Sequence, residues 1–201
     1  DSKPELDVAT PIYLAVDGLL VGIHYALDRV RPDTSAMIAE LHNRGIEAHM
    51  LTGDISSVAH AVAADIGLQP HEVHSDALPD QKAELVQKFT AAGKKVVFVG
   101  DGINDGPALA QANVGIAIGS GNEIALKSAP VVLMRADLQL IPAAIEYARR
   151  TRQVIRQNLG WAFSYNLLCI PLAMSGLLTP SIAGAAMALS SMSVVANALR
   201  L

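Results

Sequence analysis

Lys95-Val96-Val97-Phe98-Val99-Gly100-Asp101-Gly102-Ile103-Asn104-Asp105-Gly106-Pro107-Ala108-Leu109 is the stretch on which the reading of this chain turns. Val96 to Val99 is a short, largely β-branched apolar run, the composition of a strand buried in a parallel sheet. Gly100 ends it, and two carboxylates, an amide and three glycines are crowded between Gly100 and Gly106. Polar groups just past the carboxyl end of a buried strand occupy the place where an open α/β sheet binds its ligand. Asp101 and Asp105 suit a hard cation such as Mg²⁺, which takes one or two carboxylates and keeps water and phosphate as its other ligands. The glycines let the backbone turn sharply and approach a ligand. The alternative for this stretch by itself is an acidic turn between a strand and a helix.

Moving toward the amino terminus, Leu78-Pro79-Asp80-Gln81-Lys82 opens a helix expected to run to about Ala92, with Lys82 by default a solvated helix lysine. Ile46 to Leu51 reads as a strand that ends in Thr52-Gly53-Asp54, followed by a helix from Ser56 to Ile66. Thr52 stands where a helix cap would stand, and a helix amino terminus also attracts anions. Arg31-Pro32-Asp33 places Pro at the start of a further helix through Met37, Ile38 and Leu41, which Gly45 ends. Thr10 to Val16 and Leu19 to Leu27 flank Asp17-Gly18, a strong hairpin signal, so Asp17 is read as a turn residue. Asp1 to Asp7 are polar and expected to be loose. His71 and His74 have metal-like spacing but no further ligand nearby, the pattern of surface histidines.

Toward the carboxyl terminus, strand Val114 to Ile118, a turn at 119–121, a short helix and strand Pro130 to Met134 continue the alternation. A helix then runs from Asp137 or Pro142 to about Asn158. Alternating strands and helices imply an α/β domain with a largely parallel sheet. From Asn158 to Leu199 there is no Asp, Glu, Lys, Arg or His. Trp161 to Leu178 and Ile182 to Leu199 are each about the roughly 20 residues that a membrane helix needs, joined by Thr179-Pro180-Ser181. Arginines at 149, 150, 152, 156 and 200 flank them, so the positive-inside rule puts both ends in the cytoplasm. The alternative is a buried helical hairpin. The chain has 201 residues, a net charge of −4 and one cysteine, Cys169. The acidic balance argues against a nucleic-acid partner, and a single cysteine excludes an intrachain disulfide.

Thr52-Gly53-Asp54, Pro79-x-x-Lys82 and Gly100-Asp101-Gly102-x-Asn104-Asp105-x-Pro107-Ala108-Leu109, followed by two apolar helices, resemble the carboxyl-terminal part of a heavy-metal (P1B class) P-type ATPase. The resemblance covers the chain from about Thr10. It implies a haloacid-dehalogenase-like phosphorylation domain over 1–136, a stalk helix over 137–158 and the last two transmembrane helices over 159–201. Tyr165-Asn166 with Pro171, and Met187-x-x-Ser190-Ser191, resemble the Cu⁺ or Ag⁺ branch, with Tyr165, Asn166, Met187, Ser190 and Ser191 as ligands of the transported ion. Met187 as a soft sulfur ligand suits Cu⁺, although a lone methionine is also ordinary core filler. Asn197 fits the branch more weakly, and Cys169 does not match the family's Cys-Pro-Cys motif.

The resemblance further implies a catalytic set of Thr52, Gly53, Asp54, Lys82, Asn104 and Asp105, with Asp101 and Asp105 holding Mg²⁺ and ATP as substrate. Gly106 stands where the family often has Ala or Ser, and Ile55 where it often has Asn. The family's acceptor motif, Asp-Lys-Thr-Gly-Thr, does not occur in the chain. The implied partners are the acceptor strand, the nucleotide and actuator domains, the earlier transmembrane helices, a lipid bilayer, and a copper chaperone. The implied location is the plasma (inner) membrane. The chain by itself is expected to be inactive, because the missing acceptor strand belongs in the middle of the sheet. Two other readings stay open: a truncated, non-catalytic membrane or regulatory partner, and a phosphatase of the same fold.

Overall fold

A computed structural model describes residues 10–26, 30–101, 104–119 and 129–201. Gly102-Ile103, the turn residues after Gly119, the short helix expected beyond them and the polar amino terminus lie outside the described residues. The chain divides into two units, Asp1–Leu140 and Ile141–Leu201.

In the first unit, the expected buried strand forms as β5 (Val97–Gly100). It pairs in parallel with β6 (Val114–Ile118), which pairs in parallel with β7 (Val131–Leu133). Helix α4 (Gly106–Gln111) packs on β5 and β6, and α3 (Pro79–Ala91) packs on α4. Val86, Phe98, Ala108 and Leu109 form the buried cluster, with Leu51, Ala83, Val96, Ala112 and Ala129 packed around it. Burial of side chains such as Val86 and Leu109 stabilises by about 1.5–3 kcal/mol each. Gly115 in β6 is fixed by this packing, since a Cβ there would lie 2.6 Å from the Leu109 carbonyl oxygen.

The remaining parallel pair is separate. β3 (Met50–Leu51) pairs with β4 (Val73–His74), and among the described residues no ladder joins β3 to β5. The single sheet expected from the alternation is therefore two small ones. The strand expected over Ile46 to Leu51 is reduced to two residues, because a ladder forms only where a partner exists. β4 was not expected at all, being too short for any periodicity. Helices α1 (Thr34–Asn43) and α2 (Ser56–Ile66) precede and follow β3. Pro32 lies before the α1 N-cap, Asp33, rather than in the helix. The amino-terminal hairpin matches its signal closely: β1 (Thr10–Val16) pairs antiparallel with β2 (Leu19–Ala26). Asp17 (φ 51°) and Gly18 (φ 81°) are both left-handed, as the tight hairpin turn requires. Its apolar side chains, from Ile12 to Ile23, are exposed on this hairpin.

The second unit is a helical pair. α5 (Leu140–Met174) runs without a break through the arginine-rich segment into the uncharged one. α6 (Pro180–Ala198) returns. The turn falls earlier than Thr179-Pro180-Ser181. Gly176 takes the left-handed conformation (φ 74°) that ends α5, Thr179 is the N-cap of α6, and Pro180 is already helical. At the far end, Asn197 Nδ2 donates to Asn158 Oδ1 (2.9 Å) and Gln157 Oε1 (3.2 Å), tying α6 to α5. Among the described residues, one helix, α6, is long and apolar enough to cross a membrane, with a mean hydropathy of 1.3. Ser164, Tyr165, Asn166 and Pro171 make the second half of α5 more polar.

Candidate functional site

The site is built at the carboxyl end of β5. Asp101 follows the strand directly and is exposed; Asn104 is exposed beyond the undescribed pair. Asp105 is the N-cap of α4, and its carbonyl accepts the Leu109 N–H at 2.8 Å. From the start of α3, Lys82 Nζ reaches Asp105 Oδ1 at 2.9 Å. Both side chains are largely buried, 16% and 15% exposed. Lys82 is therefore not the solvated lysine that its helix position alone predicts.

Gly100 makes this pair possible. A Cβ on Gly100 would lie 2.5 Å from Asp105 Oδ2 and 2.8 Å from Asp105 Cβ. Any side chain at 100 would drive the carboxylate out of its seat. Neither the Asp105–Lys82 contact nor this use of Gly100 was foreseen. A glycine at the end of a strand, five residues before an aspartate, was the only trace in the sequence.

At the end of β3, the Thr52 hydroxyl donates to Asp54 Oδ2 at 2.7 Å and accepts from the Asp54 N–H at 3.1 Å. Thr52 does not cap α2, whose N-cap is Ile55 with no side-chain cap. The loop after β4 holds the turn in place: the Ala77 N–H donates to the Thr52 carbonyl and the Asp76 N–H to the Asp54 carbonyl, both at 2.9 Å. Gly53 is exposed, and a Cβ there would meet only the Ala77 carbonyl at an ordinary 3.7 Å. The structure thus forms two local clusters, Thr52 with Asp54 and Lys82 with Asp105. No direct bond joins them among the described residues. Leu51, one residue before Thr52, packs on the Val86–Phe98 core from which β5 runs to Asp101.

Asp101 and Asp105 supply two carboxylates past the end of β5, and this donor set fits Mg²⁺ completed by phosphate and water. Among the described residues no group of three or more His, Cys, Asp or Glu converges. His74 does not pair with His71, which is exposed; its Nε2 lies 3.3 Å from His49 Nδ1, and the two rings stack at 5.5 Å. Burial, and then the neighbouring His49, lower the His74 pKa below its ordinary value of 6.5. Folded His74 thus binds a proton less readily than unfolded His74, so its contribution to stability is complete above 6.5 and is lost as pH falls below it. The urea midpoint of the chain is expected to fall between about pH 7.5 and about pH 5.5, either side of the ordinary histidine value. His74→Gln is expected to flatten that difference.

Beside it, Lys94 pairs with Glu47 and lies 5.8 Å from the Phe89 ring centre. Its hydrogen bond and charge lower the Glu47 pKa.

In the second unit, Tyr165 is partly buried and Asn166 is exposed, its Nδ2 donating to the Ala162 carbonyl at 2.9 Å. Met187 is 73% exposed; Ser190 is half-buried and Ser191 exposed. No contact in the structure gathers these five side chains into one cluster. Cys169 is a free thiol.

A parallel α/β sheet with paired carboxylates past one strand, a lysine from the next helix and a threonine-led turn defines a class. Residues 2–113 match the haloacid dehalogenase-like hydrolase family, and the chain belongs to it. More particularly, it is 49% identical over 98% of its length to copper-exporting P-type ATPases of Staphylococcus aureus strains JH9 and Newman. It spans about a quarter (24%) of those relatives' length. It also superposes on the crystal structure of a zinc-transporting PIB-type ATPase in an E2·Pi state, with a TM-score of 0.83 and 34% identity. That match covers 98% of this chain and 32% of the other. The catalytic domain of a CPx-ATPase, CopB-B, matches 66% of the chain at 27% identity and a TM-score of 0.56, with 52% of that domain covered.

Proposed function

We propose that this chain is the carboxyl-terminal part of an ATP-driven Cu⁺ (or Ag⁺) exporter and supplies the Mg²⁺-holding half of its phosphoryl-transfer site. The observation that carries this reading is the Lys82–Asp105 pair at the end of β5, beside Asp101. Phosphoryl transfer needs fixed charges aimed at the transferred group more than it needs covalent chemistry. Asp101 and Asp105 would hold Mg²⁺, and the bound ion would neutralise phosphoryl oxygens. Lys82, fixed by Asp105, presents its remaining N–H donors to the same region. Thr52 gives its proton to Asp54 in this state, so bonding a phosphate oxygen requires the hydroxyl to turn away from Asp54. Asn104 would orient the set from the loop.

The split of the sheet supports an incomplete site. β3 and β5 each carry a catalytic loop, among the described residues each pairs along one edge, and both rest on the same core. A strand bearing Asp-Lys-Thr-Gly-Thr between them would join the two sheets and supply the phosphorylated aspartate. By itself the chain neither hydrolyses ATP nor moves copper. Its partners are that strand, the nucleotide and actuator domains, the earlier membrane helices and a copper chaperone.

Copper as cargo rests on Met187, Ser190 and Ser191 in a helix with no carboxylate, and on Tyr165 and Asn166 in α5. A soft monovalent ion takes sulfur and neutral ligands, whereas a hard divalent ion favours carboxylates. The pump lies in the inner (plasma) membrane with both ends of the helical pair cytoplasmic. Asp101→Asn in the complete pump is expected to raise the Mg²⁺ concentration needed for half-maximal phosphorylation at least about tenfold, since a neutral amide replaces a charged ligand. An unchanged Mg²⁺ requirement would remove Asp101 from the role.

A further inference from the structure

From Tyr147 to the carboxyl terminus there is no Asp, Glu, Lys or His, yet there are five arginines. Arg150 is engaged with Glu146 at 3.0 Å. Arg149, Arg152 and Arg156 are spaced i, i+3 and i+7 and so form one stripe along α5. All three are exposed, and among the described residues none has a carboxylate partner. The fourth lies just past the end of α6. Asn197 is bonded to Gln157 and Asn158, one and two residues after Arg156, so Arg200, three residues past Asn197, belongs to the same end of the helical pair.

The aromatic side chains sit on the opposite border of this basic band. Trp161 is 53% exposed and lies 6.5 Å from the Tyr165 ring. It is about 7.5 Å along the helix from Arg156, at 1.5 Å per residue. Indole rings favour the headgroup level of a bilayer, with apolar side chains beyond them. Unpaired guanidinium groups about one turn outside that level meet phosphate.

We propose that Arg152, Arg156 and Arg200 form a binding site for the headgroup of an anionic phospholipid at the cytoplasmic end of α5 and α6. Arginine engages phosphate through two parallel N–H donors, and charge near an anionic leaflet favours binding at about fivefold per arginine engaged. The inference rests on the membrane reading of α6 given above.

Trp161 is the chain's sole tryptophan, which makes it a native reporter. The 201-residue chain is reconstituted in phosphatidylcholine vesicles containing either phosphatidylglycerol or phosphatidylcholine with brominated acyl chains, and Trp161 quenching is measured against mole fraction. The brominated anionic lipid is expected to reach half-quenching at a mole fraction at least about fivefold lower, the effect of one engaged arginine. Arg152→Gln with Arg156→Gln should make the two lipids equivalent, and Arg152→Lys with Arg156→Lys should restore much of the preference. Equal quenching of the unaltered chain by both lipids, or a preference that survives the glutamine pair, overturns the site. A preference erased by inorganic phosphate at constant ionic strength overturns the lipid as ligand in favour of free phosphate. No quenching by either lipid overturns the membrane reading, and the site with it.

Discussion

Lys82→Ala in the complete pump is expected to slow phosphoenzyme formation about 10²–10³-fold, the usual loss when one preorganised electrostatic group is removed. Two effects combine. On the proposed role, the transferred phosphoryl group loses a nearby cation, and Asp105, 15% exposed, loses its 2.9 Å partner. A charge-assisted hydrogen bond of this kind contributes about 1.5–3 kcal/mol, so the variant should also melt earlier. Lys82→Arg should recover stability better than rate, because a planar fork cannot reproduce a compact ammonium at the same point. If the pair acts as a unit, Lys82→Ala with Asp105→Ala should be little slower than the worse single variant. Phosphorylation of Lys82→Ala at the unaltered rate would remove the pair from the chemistry.

Gly100→Ala adds one methyl group and is expected to be nearly as severe. The new Cβ would stand 2.5 Å from Asp105 Oδ2 and 2.8 Å from its Cβ. Asp105 must leave its seat, taking with it the anchor of Lys82 and the carboxylate proposed to hold Mg²⁺. A misplacement of about 1 Å in a preorganised site costs on the order of 10²-fold in rate. The neighbouring control is Gly106→Ala. A Cβ there meets nothing within 4 Å, and Gly106 opens α4. That change should leave phosphorylation unaltered. Equal activity of the two variants would mean that the Asp105 seat does not matter to phosphoryl transfer.

Much of the first unit was legible because its signals are local. Asp17-Gly18 dictated a tight turn, and the hairpin formed around it. Val114 to Ile118 is an uncharged, largely apolar run between Asn113 and Gly119, and β6 has those bounds. Pro79 marked the first residue of α3. What stayed hidden depends on contacts distant in sequence. Lys82 and Asp105 are 23 residues apart, and nothing in a helix-opening segment says that its lysine turns inward. His74 paired with His49 across β3 and β4 rather than with His71, because strand register decides which side chains share a face. The bounds of the helical turn were missed by a few residues, since Gly176 could end α5 before Pro180 was reached.

The sheet is where sequence and structure inform each other most. Ile46 to Leu51 has the composition of a strand, yet only Met50 and Leu51 pair. Backbone N–H and C=O groups need partners, and among the described residues β3 has one neighbour where a central strand has two. Val97 of β5 and its register partner Val114 of β6 are 41% and 37% exposed at the start of their strands. Exposed apolar surface on the β1–β2 hairpin points toward a chain that is completed by further protein.

The most direct test of the central claim is phosphoenzyme formation from γ-labelled ATP, compared between the 201-residue chain and the same chain joined behind a P-type segment carrying Asp-Lys-Thr-Gly-Thr. The predicted result is no label on the chain alone. The joined protein should carry an acid-stable, hydroxylamine-sensitive label that requires Mg²⁺ and is lost in Asp101→Asn. Label on the 201-residue chain by itself would contradict the account, because an acceptor would then lie within it.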